Sequence, residues 1–258
     1  MKKAIKIILA SLAILCTSYV FAATALIPTT DTTPRADSVL IKTHWQQMGG
    51  FESYTPDKMR LGCWSTALAQ IMYYHRLKPF GHVAYVSSKG YRINEKIDSA
   101  TIRMDKLANQ IDSTTNGEQV AETARYNYYA ALAIQKDFGT DNYMNKLAGA
   151  SLLEQHYKVK VSRYISWQRL LPYTAGKQKR IIRTEINSQR PVFLHFANLK
   201  NFGHSVVIDG YREDGGVFMV HLNQGQGGPQ DGWYNYDKDL LKEDDRKLRV
   251  IYTFKPLK

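Results

Sequence analysis

The stretch from Gly62 to His75, GCWSTALAQIMYYH, constrains the fold of this chain more than any other part of the sequence. Its packable side chains recur every three or four residues, which predicts a helix with one buried face. The glycine lets the backbone turn sharply, so Cys63 should begin that helix. Unpaired N–H groups at a helix N-terminus favour an anion, and a thiol placed there is a stronger nucleophile. The alternative is a small buried thiol that fills a gap in the core.

The N-terminus has the pattern of a secretory signal peptide. Three lysines precede a short apolar run, residues 7–20, which ends in small residues. This pattern predicts residues 1–22 as the signal peptide, cut after Ala22 or alternatively after Ala25, and a secreted or periplasmic protein. The apolar run is too short and wrongly flanked to predict a membrane span.

Removal of the predicted signal leaves a single thiol. The chain has two cysteines, and Cys16 lies within the signal. One remaining cysteine in an exported chain is either reactive or accidental. The signal also takes three lysines and no acidic residues, so the formal net charge of +12 falls to about +9. The basic residues are scattered and accompany no nucleic-acid-binding motif, so we expect no nucleic-acid partner.

The remaining sequence predicts an α+β fold in one domain of two lobes. Residues 23–40 are rich in Thr, Pro, Ala and Asp and are predicted as a flexible lead-in to a domain at residues 41–258. Helical patterns dominate the first two thirds, and β-branched runs that predict an antiparallel sheet dominate the last third. Beyond the cysteine helix, the predicted helices are two within residues 102–138, then 141–157 and 179–188. The predicted strands are residues 191–196, 205–208, 217–222 and 247–254.

A cysteine nucleophile needs a histidine within hydrogen-bonding distance and a third group that orients the histidine ring. The chain has seven histidines. His75 shares the helix with Cys63 but lies about 18 Å along its axis, too far to reach the thiol. Three histidines in helical or turn contexts are expected at the surface: His44, His82 and His156.

His204 is the favoured base because it begins a predicted strand directly after a glycine. With a two-residue hairpin loop at residues 213–214 or 214–215, Asn223 lies on the same face as His204, either opposite it or diagonal to it. Asp209 points to the other face, which favours Asn223 as the orienting group. Two strand histidines remain open as alternatives to His204: His195 and His221.

Several segments resemble the streptopain family of papain-like cysteine peptidases, in family order, over about residues 41–258. GCWSTALAQIMYYHRLKP resembles the nucleophile helix, and GHSVVIDGY resembles the histidine strand. HLNQGQGGPQDGWYNYD resembles the asparagine strand and the glycine-rich loop after it, and INSQRPVFLHF is similar to the strand that leads toward the histidine. THWQQ resembles the segment with the oxyanion-hole glutamine, in a Thr-x-Trp-x-Gln pattern that selects Gln47 over Gln46.

The resemblance implies a papain-like fold with the active site in a cleft between a helical lobe and an antiparallel β lobe. It implies four catalytic residues, which are the nucleophile Cys63, the base His204, the orienting Asn223 and the oxyanion donor Gln47. The residues implied to contact substrate are Trp64, Gly203, Gln224 and Gly225. The implied function is an exported cysteine endopeptidase that forms an acyl-enzyme without a metal or organic cofactor. The implied partners are a protein or peptide substrate and a separate inhibitor protein, with no stable membrane insertion.

The chain departs from the family pattern at two points. The family's Asn-Trp-Gly-Trp-Gly-Gly is Asn-Gln-Gly-Gln-Gly-Gly at residues 223–228, so both tryptophans are glutamines. A short lead-in also stands where members commonly carry a long inhibitory pro-region, so we expect activity once the signal is removed. The alternative functions are a deamidase, a transglutaminase-like enzyme or a peptidoglycan amidase or peptidase on the same fold, or an inactive binding or inhibitory relative. A phosphate-binding role for the glycine run is disfavoured, because the run leads into no predicted helix.

Overall fold

A buried helix and a six-stranded sheet form the frame of the protein. Helix α1, Cys63–Tyr74, begins at the predicted cysteine, and its residues 63–72 are all buried. A helix that is covered on all sides has an almost continuous apolar sequence, which is why Ala, Leu, Ile and Met fill so much of α1. The helix lies on the sheet and fixes where the cysteine meets it.

The computed structural model describes residues 38–139, 148–167, 175–198, 203–240 and 248–258. The predicted signal peptide and nearly all of the predicted lead-in lie outside these ranges and stay predictions. Within the ranges, none of the helices combines the length and apolarity that a bilayer span requires.

The other helices are α2 Gly117–Ala133, α3 Ala150–His156 and α4 Ala175–Asn187. Helix α2 begins with a capping box, in which Asn116 and Gln119 satisfy each other's backbone N–H groups. Only the second of the two helices predicted in residues 102–138 is present, because residues 102–116 form turns and irregular segments. Part of the helix predicted at 141–157 lies outside the described residues.

A small antiparallel hairpin that the sequence patterns did not reveal follows α1. It pairs β1, Gly81–Val86, with β2, Arg92–Ile97. The main sheet has the order β3-β8-β4-β5-β6-β7, and its neighbouring strands are antiparallel. Its strands are β3 Val159–Trp167, β4 Val192–Ala197, β5 His204–Asp214, β6 Val217–Asn223, β7 Gly232–Asn235 and β8 Leu248–Pro256. The predicted α+β class is therefore confirmed, although β3 and β7 were not predicted.

The two faces of the sheet bury different cores. Along β4, Phe193 joins the core shared with α1, whereas Leu194 joins the core on the opposite face, where Ile182 and Ile186 of α4 pack. Alternation of side chains along a strand produces this division. The sheet is covered by helix on both faces, and the N-terminal end of α1 lies against the start of β5.

The β5–β6 hairpin turns later than either predicted register, by one residue for the loop at 214–215 and by two for the loop at 213–214. Asp214 pairs with Val217, which leaves Gly215 and Gly216 as the loop. Both glycines have positive φ, +54° and +79°, as a tight turn that matches the strand twist requires. A bulge at Asp209 shifts the register again, because pairing passes from Ile208 directly to Gly210.

Candidate active site

Cys63 lies at the junction of α1 and β5. Its side chain is buried, at 6% exposure, at the first position of the helix. The backbone N–H of Ser205 donates a hydrogen bond to the Cys63 Sγ over 3.4 Å. A sulfur that receives such a bond at a helix N-terminus is stabilised as a thiolate.

His204 is the histidine that the fold brings to this sulfur. It is the first residue of β5, next to Ser205, and its ring shares a hydrogen bond with the Cys63 thiol. The ring Nε2 lies 2.9 Å from the backbone carbonyl oxygen of Gln224. Because a carbonyl oxygen only accepts, the Nε2–H donates this bond, which leaves Nδ1 as the ring nitrogen that can exchange a proton with the thiol.

The two side chains shift each other's pKa in the directions that an ion pair requires. Burial by itself would raise the pKa of the Cys63 thiol, but the hydrogen bond and charge of His204, with the N–H of Ser205, outweigh burial and lower it. Burial would lower the pKa of His204, but the thiolate and the Gln224 carbonyl outweigh burial and raise it. The arrangement therefore favours a thiolate and an imidazolium at neutral pH.

Asn223 has a different position from the one predicted, and its side chain does not hold the His204 ring. Its Oδ1 accepts hydrogen bonds from Gln70 Nε2 at 2.8 Å and from the Gly225 N–H at 3.1 Å. Its Nδ2 donates to the Thr43 carbonyl oxygen at 2.7 Å. The predicted register fails because Asn223 pairs with Val207, not with a residue at the His204 end of the strand. The neighbouring Gln224 supplies the ring's acceptor through its backbone.

Gln47 lies beside the segment that leads into α1. Its side chain is buried at 5% exposure, and its carbonyl oxygen accepts a hydrogen bond from the Leu61 N–H at 3.2 Å. Leu61 is two residues before Cys63, so this bond holds the Gln47 backbone near the Cys63 thiol. The Gln46 side chain lies beside the glycine-rich loop, since a Cβ added at Gly227 would be 3.0 Å from the Gln46 Oε1.

Of the residues implied to contact substrate, Trp64 is instead a core residue. Its indole ring is 6% exposed and packs against Phe193 and Tyr252, with ring centroids 4.2 and 5.4 Å apart. A helix turns about 100° per residue, so the side chain after Cys63 has its own direction and here packs on the sheet.

The other three implied substrate residues border His204. Gly203 directly precedes it, Gln224 holds its ring, and Gly225 follows Gln224. The Gly225 backbone lies close to α1, because an added Cβ would be 3.2 Å from Thr66 Cγ2. The glycine-rich loop thus forms the edge of the site next to the nucleophile helix. Contact of these residues with a substrate remains a prediction.

The remaining histidines have other environments. His195 is buried, its Nδ1 lies 3.0 Å from the Ser205 Oγ, and burial lowers its pKa to about 4. His221 pairs with Asp209, Nδ1 to Oδ1 at 2.7 Å. His156 was predicted at the surface but is buried, with Nδ1 2.9 Å from the Phe80 carbonyl oxygen.

Sequence patterns missed several residues that support the site. Ser205 acts through its backbone N–H, which has no signal in the sequence. Asp231 accepts a hydrogen bond from the Gln224 N–H at 2.7 Å and so holds the loop beside His204. Gln70 has only the ordinary signal of a helix-forming residue in the sequence, although a polar side chain on the buried side of a helix also indicates a buried hydrogen-bond partner. Within the described ranges, no group of three or more His, Cys, Asp or Glu residues could hold a metal ion.

The ion pair predicts fast alkylation of Cys63 at mildly acidic pH. Because the thiol pKa is lowered and the histidine pKa is raised, the thiolate should persist well below the pH at which an ordinary thiol ionises, about 8.5. The rate of iodoacetamide labelling at Cys63, followed by mass spectrometry from pH 4 to 9, should already be high near pH 6. A rate that rises only around pH 8.5 would contradict the ion pair.

Comparison with known proteins places this geometry in a family. The sequence profile described as the Peptidase C10 family matches residues 45–234. No curated protein sequence was found that matches the chain. The solved structure of active wild-type interpain A cysteine protease from Prevotella intermedia is 21% identical, with a TM-score of 0.65 over 83% of this chain and 93% of that chain. A prointerpain A fragment from the same organism, with a cysteine-to-alanine substitution, is 21% identical, with a TM-score of 0.64 over 83% and 70%.

The likeness to interpain A confirms the predicted papain-like fold. The profile match covers most of the chain and includes Cys63, His204 and the loop that holds the histidine ring. This chain therefore belongs to the Peptidase C10 family, which is the streptopain family, and is a cysteine peptidase.

Proposed function

We propose that this chain is an exported endopeptidase that cuts protein substrates through a Cys63 thiolate and a His204 imidazolium. The observation that carries the proposal is the position of Cys63 at the N-terminus of α1 against the start of β5, where it and His204 shift each other's pKa toward the charged forms. The Gln224 carbonyl replaces the Asn223 side chain as the acceptor that orients the ring. Asn223 keeps a role as the anchor of the loop that carries this carbonyl.

The chemistry follows from the pair. The thiolate attacks the scissile carbonyl carbon, a C–S bond forms, and the carbonyl oxygen becomes an oxyanion. His204 then gives its proton to the departing amine as the C–N bond breaks, which leaves an acyl-enzyme. In the second half, His204 takes a proton from water, the hydroxide attacks the thioester, and Cys63 leaves as the thiolate. The Gln224 carbonyl favours the protonated ring at the stage when His204 must act as an acid.

The oxyanion needs donors that point at its final position. The backbone N–H of Cys63 is available at the start of α1, where helix N–H groups have no partner within the helix. We assign the second donor to the side chain of Gln47. The hydrogen bond from the Leu61 N–H holds the backbone of Gln47 near Cys63.

Replacement of Gln47 by alanine should lower kcat roughly 10²- to 10³-fold, because one oxyanion donor is lost in the transition state. Gln46→Ala is the matched control and should lower kcat much less than Gln47→Ala, since its side chain lies beside Gly227 and is not the donor assigned to the oxyanion. Both values should be measured on a fluorogenic peptide, with active sites counted by titration. The reverse order of the two effects would assign the oxyanion role to Gln46.

Purified protein that begins at Ala23 should hydrolyse peptide bonds, and its Cys63→Ala variant should not. Three substrate classes should be compared: unfolded proteins, glutamine side-chain amides and peptidoglycan. Cleavage of protein alone supports the endopeptidase. Preferential deamidation, transfer to amines or release of peptidoglycan fragments would overturn it in favour of another acyl transfer. Gln224 is the residue to examine in that case, since it stands where the family has tryptophan next to the histidine ring.

The proposed export rests on the charged and apolar pattern of residues 1–22. N-terminal sequencing of protein recovered outside the cytoplasm should begin at Ala23, or at Leu26 if the bond after Ala25 is cut. Full-length protein that remains in the cytoplasm would contradict export. Control by a separate inhibitor protein stays a prediction from the family resemblance.

A further inference from the structure

Three buried polar side chains form a closed circuit of hydrogen bonds behind the catalytic pair. Thr43 Oγ1 donates to Gln70 Oε1 at 2.7 Å, and Gln70 Nε2 donates to Asn223 Oδ1 at 2.8 Å. Asn223 Nδ2 then donates to the backbone carbonyl oxygen of Thr43 at 2.7 Å, which completes the circuit. The three residues are 3%, 0% and 3% exposed, so water does not compete for these bonds.

Each member of the circuit belongs to a different part of the active site. Thr43 lies in the segment that carries Gln47, and Gln70 lies on α1 two turns after Cys63. Asn223 ends β6 and directly precedes Gln224, whose carbonyl oxygen faces His204. The circuit therefore ties the oxyanion segment and the histidine-holding loop to the nucleophile helix.

Two further bonds extend the circuit into the backbone. The Trp45 N–H donates to Gln70 Oε1 at 3.4 Å, and the Gly225 N–H donates to Asn223 Oδ1 at 3.1 Å. The second bond fixes the residue on the far side of Gln224, so the Gln224 peptide is held from both directions. The Asp231 carboxylate fixes its N–H separately.

Gln70 is the member for which the side-chain chemistry is most specific. An amide presents a donor and an acceptor at the same end, and here the donor meets Asn223 while the acceptor meets Thr43 and Trp45. Glutamate at this position would keep the acceptor but lose the donor, and methionine would keep the length but lose both. Removal of one buried partner leaves the others unsatisfied, so the circuit should form or fail as a unit.

We propose that Gln70 is a positioning residue, which holds the Gln224 carbonyl at His204 and the Gln47 segment at Cys63. Gln70 touches neither substrate nor a reacting atom and acts through Asn223 and Thr43. This inference rests on the proposed function for its catalytic consequence. Its structural consequence, the state of the Cys63–His204 pair, can be measured without any substrate.

The first test is the pH dependence of Cys63 alkylation by iodoacetamide in Gln70→Met. If the loop loosens, the Gln224 carbonyl no longer favours the protonated ring, so the pKa of His204 falls and that of Cys63 rises. The acid limb of the alkylation profile, which is the pH range over which the labelling rate rises from its low value in acid, should then move to higher pH. Gln70→Glu should shift it in the same direction, because it also lacks the donor toward Asn223.

Gln178→Met is the matched control. Gln178 is also a buried helical glutamine, at 1% exposure, and it bonds the Arg249 carbonyl oxygen and the Tyr236 hydroxyl, away from the catalytic pair. Both methionine variants should lose stability to urea, but only Gln70→Met should shift the acid limb. The inference is overturned if the acid side of the alkylation profile does not move in Gln70→Met, or moves by the same amount in Gln178→Met. Gln70 would then only stabilise the fold.

The second test uses hydrolysis, with active sites titrated. Gln70→Met should lower kcat about 10- to 100-fold and change KM less than about threefold, because small displacements of catalytic groups affect the transition state most. If Gln70 and Asn223 act as one unit, the double variant Gln70→Met/Asn223→Leu should lose no more than the worse single variant. If the losses in kcat of the two single variants multiply in the double variant, the two residues act independently and the single circuit is wrong.

Two outcomes distinguish failure of the proposed function from failure of the positioning role of Gln70. A wild-type protein that alkylates as expected but hydrolyses no peptide would contradict the proposed function and leave the positioning role standing. If Gln70→Met does not fold, Thr43→Val tests the same circuit through the neighbouring bond, and Thr43→Ser, which keeps the hydroxyl, should restore the wild-type acid limb. A Thr43→Val profile identical to the wild type would then overturn the inference.

Discussion

Replacement of His204 by alanine is expected to lower kcat/KM roughly 10⁴- to 10⁶-fold, with the protein still folded. Among the described residues, His204 is the histidine whose interaction with Cys63 lowers the pKa of the thiol. Without it the thiolate loses its counter-charge and the departing amine loses its acid. The same variant should also lose fast alkylation near pH 6, because burial then acts on the thiol without the opposing imidazolium.

His221→Asn is the control for this prediction, since the sequence left His221 open as a base. His221 instead pairs with the buried carboxylate of Asp209 at 2.7 Å. An asparagine amide can still donate to that carboxylate, so kcat/KM should stay within a few-fold of the wild type while stability to urea falls. If hydrolysis survives in His204→Ala but disappears in His221→Asn, the base is His221 and not His204.

Replacement of Gly203 by alanine should destabilise the protein by about 3 kcal/mol or more, as a left-handed backbone and a close contact both oppose a side chain. Gly203 has φ of +86°, and an added Cβ would lie 1.9 Å from the Phe196 carbonyl oxygen. Phe196 pairs with His204 across β4 and β5, so the strands must separate at His204, the proposed base. If the Gly203→Ala protein still folds, its kcat should therefore be lower by roughly 10²-fold.

Gly215→Ala is the matched control for Gly203. Gly215 also has positive φ, +54°, but it lies at the β5–β6 turn, and an added Cβ there meets no atom within 4 Å. It should cost only the backbone preference, about 1 kcal/mol. Urea unfolding of both variants gives the comparison. Equal losses of stability would show that the contact with Phe196 is relieved at little cost.

The sequence determined the parts of this protein that depend on local signals. The spacing of apolar residues after Gly62 determined helix α1 and placed Cys63 at its start, as the structure has it. The change from a helical to a strand period determined the α+β class. A histidine that follows a glycine at the start of a strand favoured His204, but His195 and His221 could be set aside only by their tertiary partners.

The partner of the His204 ring was decided by tertiary structure alone. Strand alternation pointed to Asn223, but the turn at Gly215–Gly216 and the bulge at Asp209 moved the register, so that Asn223 faces Gln70 and Thr43. The acceptor is a backbone carbonyl, and every residue has one. No residue type in the sequence can therefore mark which carbonyl will meet the ring.

Tertiary packing also decided which polar and aromatic side chains serve the site. Trp64 follows Cys63 in sequence, yet the helical turn directs it into the core against Phe193. Gln70 looks like an ordinary helix former, yet it lies at 0% exposure between two segments that are 27 and 153 residues away along the chain. Periodicity reports on neighbours within one element, whereas buried hydrogen bonds join elements whose approach depends on the packing of the whole core.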